Sequence, residues 1–594
     1  MKIFFICPII CGVKELYVFM RYFLKKTTPS KKGTYLQIYR TNYVPGKGNQ
    51  NKSYKALGYV DELKAKGIED PIEYAKGLID GLNGQHKLLK EKQIGDDSTS
   101  KNAGYFLAKA MFDALGMDRD LDIVASSYKS QYEFAPFLRS LTYAQIVDPG
   151  SKLKMYRDTI PNLYGAGRYT YDQILDGVNF IGGDFHKYIE VINHHIDKRY
   201  GRDLGIGYFD CTNYYFEIDE EDEYRRKGPS KENRHDPIIG QSLLLDADMI
   251  PLDMKLYPGN ESEKPYLRGR IEDMKVRNGV SGRVIQVADK GLNCARNIYA
   301  AVMEADDGYI FSKSVHGKNL SDAERKWVLL DDDGVNRWTA VKDESGHVKY
   351  RYKECIDDFE YKCKIGPGDK REVKFKVREK RVVTYNPKLA SKQRREITRM
   401  VERLQSKIAC KEAVREELGD SVKYVNLEAK TVEGEKVKIA VSLDQKKIDE
   451  DLALAGYNLL ATSETGAPAS EIYKAYHSLW RIEQSFRVMK TCLEARPVFV
   501  SDTNTIFGHF LVVYYALVIM RLLELKIFED KIAIEQLFDF IRDYKVTENY
   551  DGSFINNATD TSTYRKIKDK LGLSKLGNVY LSRRDLDLLF ETEF

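Results

Sequence analysis

The sequence predicts a mixed α/β protein on three observations. Residues 101–200 place apolar side chains at helical spacing, the pattern changes to period two at Leu204, and strand-like and helix-like stretches alternate from there on. The 594 residues, 43% hydrophobic and 31% charged, leave room for about three to five domains. That composition excludes fully disordered, collagen-like and multi-spanning membrane proteins.

The chain opens on MKIFFICPIICGV, one lysine followed by an apolar run. No small-x-small cleavage site follows, and the run is far short of the roughly 18–20 residues a membrane span requires. A start placed too early, ahead of Met20, accounts for it; an apolar cap and a targeting segment are the alternatives. Residues 21–55 carry nine Lys/Arg and no Asp or Glu, with strand-like stretches at 34–39 and 54–60 and a Pro45-Gly46 turn, which reads as a basic hairpin. Residues 71–91 and 101–200 read as helices. Tyr105, Leu107, Met111, Phe112 and Leu115 share one face, and Ile189, Ile192 and Ile196 line another.

Beyond Leu204, LGIGYFDCTNYYFEI reads as a strand, QSLLLDADMIPLDMKLYPG as a hairpin, EKPYLRGRIEDMKVRNG as a helix, RVIQVADKG as a buried strand, NCARNIYAAVMEADD as a helix and GYIFSKS as a strand. That order is the order of a ribonuclease-H-like domain, although other mixed α/β domains approximate it. Residues 326–450 interrupt it with charged, strand-like sequence and a long helical stretch at 388–418. Fourteen Lys/Arg against four Glu within 370–407 give a local charge of +10, too one-signed for a merely solvated helix face and suited to nucleic acid. The strand NLLATSE, a long helix, an apolar helix at 506–525 and a polar C-terminal region complete the chain.

The domain organisation expected is therefore an apolar extension or mis-started segment at 1–19, a DNA-binding and helical region at 20–200, and the catalytic α/β domain at 201–325 and 456–525. A basic β-rich insertion at 326–455 interrupts that domain, and a C-terminal region follows at 526–594. The net charge of +5 is uninformative, so a nucleic-acid partner must be held by local patches. Eight scattered cysteines with no CxxC pair and no Cys/His ligand spacing suggest a reduced, cytoplasmic protein without a zinc site.

Three carboxylates stand out by context. Asp210 sits inside an apolar strand, where an ionised group is costly unless a cation or several donors meet it. Asp289 ends an apolar strand before a glycine turn, the edge of a sheet where functional side chains collect. Glu483 lies in ASEIYKAYHSLWRIEQSFRVMKTCLEARP, where Ile482, Phe486, Met489 and Leu493 form a core stripe. Tyr476, Glu483, Arg487 and Lys490 share the adjacent face, and because seven residues make nearly two turns, Tyr476, Glu483 and Lys490 are expected to stack along one line. Each carboxylate alone also reads as a capped or salt-bridged structural residue.

Together these motifs resemble a family. Tyr476-x2-Leu479-x3-Glu483-x6-Lys490, GYFDCTNYYFE around Asp210, GPSKENR at 228–234, ADKG at 288–291 and LEARPVFV at 493–500 are similar to bacterial insertion-sequence transposases of the DDE type, in the branch with a Tyr-Arg-Glu-Lys signature. The resemblance runs from about residue 20 to about residue 525. Leu479 departs from it, standing where the signature has arginine; Arg487 is the nearby guanidinium on the appropriate face.

The resemblance implies that Asp210, Asp289 and Glu483 are catalytic and hold two Mg²⁺ ions, with Mn²⁺ as a substitute, for in-line displacement at phosphorus. It implies that Lys490 and Arg487 bind phosphates and that Tyr476 bonds or packs against the strand being cut. The partners implied are double-stranded DNA bearing the terminal inverted repeats of the element and a second copy of the chain, with no membrane and a bacterial, nucleoid-associated setting. A metal-dependent nuclease or resolvase of the same fold and an inactive DNA-binding relic are the competing readings. Trp327 and Trp338, in KWVLLDDDGVNRWTAV, are candidates to stack on a flipped base or, alternatively, to cover a small core in the insertion. Trp480, beside the core stripe, is expected to pack.

Overall fold

The computed structural model describes residues 18–28, 32–44, 48–92, 99–128, 132–232, 235–316, 320–331, 337–366, 368–409, 423–430, 438–549 and 552–594. The apolar start, the Pro45-Gly46 turn, the Asp333-Gly334 turn and the end of the 388–418 helix lie outside them. The chain divides into two units, residues 1–180 with 519–594 and residues 181–518.

In the first unit the basic N-terminal region is a three-stranded antiparallel sheet, Val18–Thr27, Tyr35–Val44 and Gly48–Tyr59, one strand more than the expected hairpin. Leu36 and Ile38 alternate inward, and Leu36 packs with Leu63 and Ala75 at the start of the helix Pro71–Lys92. Tyr105, Leu107, Met111, Phe112 and Leu115 are all buried, as their spacing predicts. The C-terminal region is folded as well. Strands Lys545–Glu548, Phe554–Asn556 and Tyr580–Leu581 form a small sheet with Ser100–Asn102. At this junction Gly104 lies so close to the Ile541 carbonyl that a Cβ would stand 2.3 Å from its oxygen.

The second unit is built on one nine-stranded mixed sheet. In chain order its elements are β1 (Ile206–Tyr215), β2 (Ile238–Leu245), β3 (Pro251–Pro258), α1 (Lys264–Arg277), β4 (Ile285–Ala288), α2 (Ala295–Tyr299) and β5 (Gly308–Lys313). Then come β6 (Thr339–Lys342), β7 (Val348–Cys363), β8 (Val373–Tyr385), α3 (Pro387–Ala409), β9 (Tyr457–Thr462), α4 (Ala469–His477) and α5 (Trp480–Thr491). The sheet order is β6-β7-β8-β9-β5-β4-β1-β2-β3. The β1, β2 and β3 strands form an antiparallel meander, while β4 lies parallel to β1 and β5 parallel to β4.

Strands buried on both faces carry continuous apolar runs, which is why β1, β2 and β4 stand out in the sequence. Phe209, Leu244, Leu252 and Ala288 pack with Leu267, Ile271 and Met274 from α1. Of the strands of the inserted stretch, β6 to β8 extend the central sheet, because β8 pairs with β9, while Val425–Lys430 and Lys438–Leu443 pair with each other in a separate two-stranded sheet. Part of the charge in the 370–407 segment is therefore internal. Glu379 is fully buried and accepts hydrogen bonds from the Tyr309 and Tyr361 hydroxyls and the Arg381 guanidinium. The lysines and arginines of α3, such as Lys388, Lys392, Arg395 and Arg399, are exposed.

One helix, Thr503–Ile527, is long and apolar enough to cross a membrane, but 94% of its most apolar window is buried inside the protein. Burial accounts for its composition.

Candidate active site

Asp210 lies within β1 and Asp289 directly follows β4. The parallel register pairs Phe209 with Ala288, so the two aspartates occupy the next step of adjacent strands. Asp210 Oδ1 accepts the Cys211 amide at 2.8 Å. Burial is the main influence on its carboxyl and pushes it up to about 6; Lys231 and the Cys211 amide oppose this, while Glu263 and Asp289 add to it.

Tyr476 donates its hydroxyl to Asp289 Oδ1 at 2.8 Å. Burial first, then the Asp289 charge, hold that phenol well above its ordinary value, so it remains a donor across the physiological range. Glu483, in the first turn of α5, is raised by burial and then by Asp289. Asp289 thus couples electrostatically to both of the other carboxylates.

The expected stacking of Tyr476 and Glu483 on one helix is not found, because α4 ends at His477 and α5 begins at Trp480. Ser478 bonds its hydroxyl back to the Lys474 carbonyl, and Leu479 turns into the core at 7% exposure with its amide on the Tyr476 carbonyl at 3.1 Å. Such back-bonding and tightened turns bend a helix. Within α5 the expected stripe holds: Ile482, Phe486 and Met489 are buried, as is Leu493 just beyond it, and Glu483 and Arg487 are exposed on the adjacent face.

Lys490, in the last turn of α5, is already engaged. It donates to Glu232 Oε1 at 3.1 Å, and Arg496 reaches Glu232 Oε2 at 2.8 Å. Burial pulls the Lys490 ammonium below its ordinary value, against the raising effect of Glu232. Lys231, next in the same loop, donates to the Cys211 carbonyl and pairs with Glu263 at 3.0 Å. Burial works against its charge, but Asp210 and Glu263 raise it overall.

The donor chemistry of Asp210, Asp289 and Glu483, three carboxylates without histidine or cysteine, fits a hard divalent cation, and positive charge would relieve the costly ionisation of Asp210. Among the described residues no three His, Cys, Asp or Glu side chains gather closely enough to hold a metal ion as they stand. The like charges of the three carboxylates oppose such gathering.

The chain is similar to a solved transposase structure. That structure is a piggyBac transposase synaptic complex with hairpin DNA, 8% identical, with a TM-score of 0.35 over 84% of this chain and 86% of that one. No family model matches the chain, and no curated protein does.

Trp327 and Trp338 follow the core alternative, and Trp480 departs from expectation. Trp327 and Trp338 are half-buried against Val315, Val328, Val383 and Leu459, and the 2%-exposed Lys353 lies 5.3 Å and 4.8 Å from their ring centres. Trp480, expected to pack, is 47% exposed, with the Arg481 guanidinium 4.2 Å from its ring centre. At the first position of α5 it lies one turn before Glu483.

Sequence reasoning missed Lys231, Glu232 and Arg496 as members of the site. The first two belong to GPSKENR and the third to LEARP, motifs that carried the resemblance but no assigned role.

Proposed function

We propose that this chain is a DDE-type transposase of the insertion-sequence kind, cleaving DNA at the terminal inverted repeats of its element and transferring the freed strand as a homodimer. The observation that carries this is the placement of Asp210 and Asp289 at matching steps of adjacent parallel strands, with Tyr476 bonded to Asp289 and Glu483 coupled to it. The strand order β3-β2-β1-β4-β5, an antiparallel meander followed by two parallel strands, supports a ribonuclease-H-like catalytic domain.

Asp210, Asp289 and Glu483 would hold a pair of Mg²⁺ ions, or Mn²⁺ in their place. When bound, such a pair activates a water or 3′-hydroxyl and stabilises the leaving oxygen at phosphorus. Tyr476 orients the Asp289 carboxylate. Arg487, exposed on the Glu483 face, meets the phosphate backbone of the strand, and the basic strands at 21–55 and the α3 face supply the sequence-independent grip.

The test is direct: purified protein, DNA carrying the flanking ends of its own coding sequence, and Mg²⁺, resolved on a denaturing gel. Nicks at the element ends that require the cation, followed by joined products, are expected. Metal-dependent cutting without preference for those ends would replace the transposase by a nuclease of the same fold.

A further inference from the structure

The segment Gly228 to Glu232 is fastened from both sides. At its base Arg226 and Ile238 exchange backbone hydrogen bonds at 3.1 Å and 2.9 Å. Gly228 packs so tightly on Gly259 that a Cβ would stand 2.1 Å from the Gly259 oxygen. Asn213, further along β1 than Asp210, then pins the middle of the segment: its amide donates to the Pro229 carbonyl at 3.2 Å and its oxygen accepts the Lys231 amide at 3.3 Å.

Both residues at the tip of this strap are engaged, Lys231 on the Cys211 carbonyl next to Asp210 and on Glu263, and Glu232 on Lys490 and Arg496. Those two cations are built into the site. Lys490 lies 5.3 Å from the Tyr214 ring centre and Arg496 4.8 Å from that of Tyr215, so consecutive residues at the end of β1 seat both. The Arg496 Nε is buried without a hydrogen-bond partner, which leaves the guanidinium with donor capacity that the carboxylate does not use. Two cations converging on one pair of oxygens form the geometry that receives a phosphodiester, since a phosphate presents its oxygens to such a fork as a carboxylate does.

We propose that Lys490 and Arg496 together form a phosphate seat, and that Glu232 is its internal stand-in, a strap carboxylate that a DNA phosphate must displace. The proposal rests on the nucleic-acid reading of this site and deepens it: Arg496 becomes a DNA contact, and the strap that reaches toward Asp210 through Lys231 is released by the same phosphate that enters. The free protein thus keeps its phosphate seat closed to stray anions, and duplex binding has to break two ion pairs first.

The experiment is fluorescence anisotropy of the full chain with a random-sequence duplex across a salt series. Glu232→Gln removes the competing charge and is expected to bind about fivefold tighter than the wild type, while Lys490→Ala/Arg496→Ala binds about tenfold or more weaker, the removal of two phosphate-binding cations flattening the salt dependence by roughly 0.9 for each. In the triple variant the Glu232→Gln gain should vanish, because there is no seat left to open. Glu232→Lys, which repels both cations, should match or exceed the gain of Glu232→Gln and guards against a misfolded single variant. Wild-type binding with no gain in either Glu232 variant, or a gain that survives in the triple variant, overturns the strap and leaves the DNA reading standing. Absence of duplex binding in every variant and the wild type overturns both.

Discussion

Tyr476 donates its hydroxyl to Asp289 Oδ1 at 2.8 Å, joining the end of α4 to the carboxyl end of β4. The bond makes the tyrosine a positioning residue for a carboxylate, and in the described geometry its hydroxyl is spent on Asp289. A hydrogen bond to a charged group is worth about 1.5–3 kcal/mol, which corresponds to about ten- to a hundredfold in rate if it is needed at the transition state. Tyr476→Phe should lower strand cleavage by about that factor with unchanged duplex affinity. Loss of duplex affinity with unaltered cleavage of bound DNA would place the hydroxyl on the strand instead.

Asp210→Asn, Asp289→Asn and Glu483→Gln should each abolish cleavage while leaving duplex binding within about twofold, because each removes ligand charge without touching a phosphate-binding cation. The readout is paired, a denaturing gel for cleavage and anisotropy for binding. Near-normal cleavage in any one of the three would remove that residue from the catalytic set.

The tryptophans separate by temperature and by binding. Trp338 packs near Tyr457 and Lys353 and donates its indole N–H to the Leu330 carbonyl at 3.3 Å, so Trp338→Ala should lower the melting temperature through a cavity and the loss of that hydrogen bond. Trp480→Ala should leave the melting temperature almost unchanged, since its ring is 47% exposed, and weaken single-strand binding by a stacking contribution of about 1–3 kcal/mol. The reverse pattern would return the stacking role to the insertion.

Neutralising exposed lysines in the two basic segments should act uniformly on all duplex sequences. Lys25, Lys52 and Lys55 on the N-terminal sheet, and Lys388, Lys392 and Arg395 on α3, are the appropriate set because they face solvent. Every cation removed from a phosphate should reduce the logarithmic salt slope by about 0.9. An unchanged slope would move the duplex to another face.

Glu324 gives the chain a defined acid response. Burial alone would lift its carboxyl, but hydrogen bonds from Lys313 at 2.6 Å and from the Ser321 amide and hydroxyl overcome this and hold it down at about 2. A carboxylate depressed from 4.5 to about 2 contributes stability that is fully present above 4.5 and is lost as the pH falls toward 2. Glu324→Gln should therefore melt below the wild type at neutral pH, with the gap closing between pH 4.5 and about 2. A gap that stayed constant with pH would mean that the loss came from packing.

The strands around Asp210 and Asp289 and the stripe of α5 are legible in local pattern, because strands buried on both faces require unbroken apolar runs and a helix with one buried face requires its stripe: Phe209, Leu244 and Ala288 in the sheet, and Ile482, Phe486 and Met489 in α5, lie where their spacing puts them. Asp210 and Asp289 stand out in the sequence as well, since a carboxylate within or at the end of an apolar run is costly enough to be conspicuous, and Glu483 stands out by its place beside the stripe of α5. The long-range pairings are not legible in this way. The insertion joined the central sheet through β8 and β9, and Ser100–Asn102 joined the C-terminal strands, because backbone hydrogen bonds between distant segments leave no periodicity in either one. The same holds for charge. Lys490 is expected from the sequence to share the Glu483 face and bind phosphate, yet Glu232 meets it from a loop remote in sequence, and no local pattern specifies which carboxylate an ammonium finds. The break between α4 and α5 was equally hidden, since Ser478 and Leu479 are compatible with a helix and only the pull of Leu479 into the core bends the chain there.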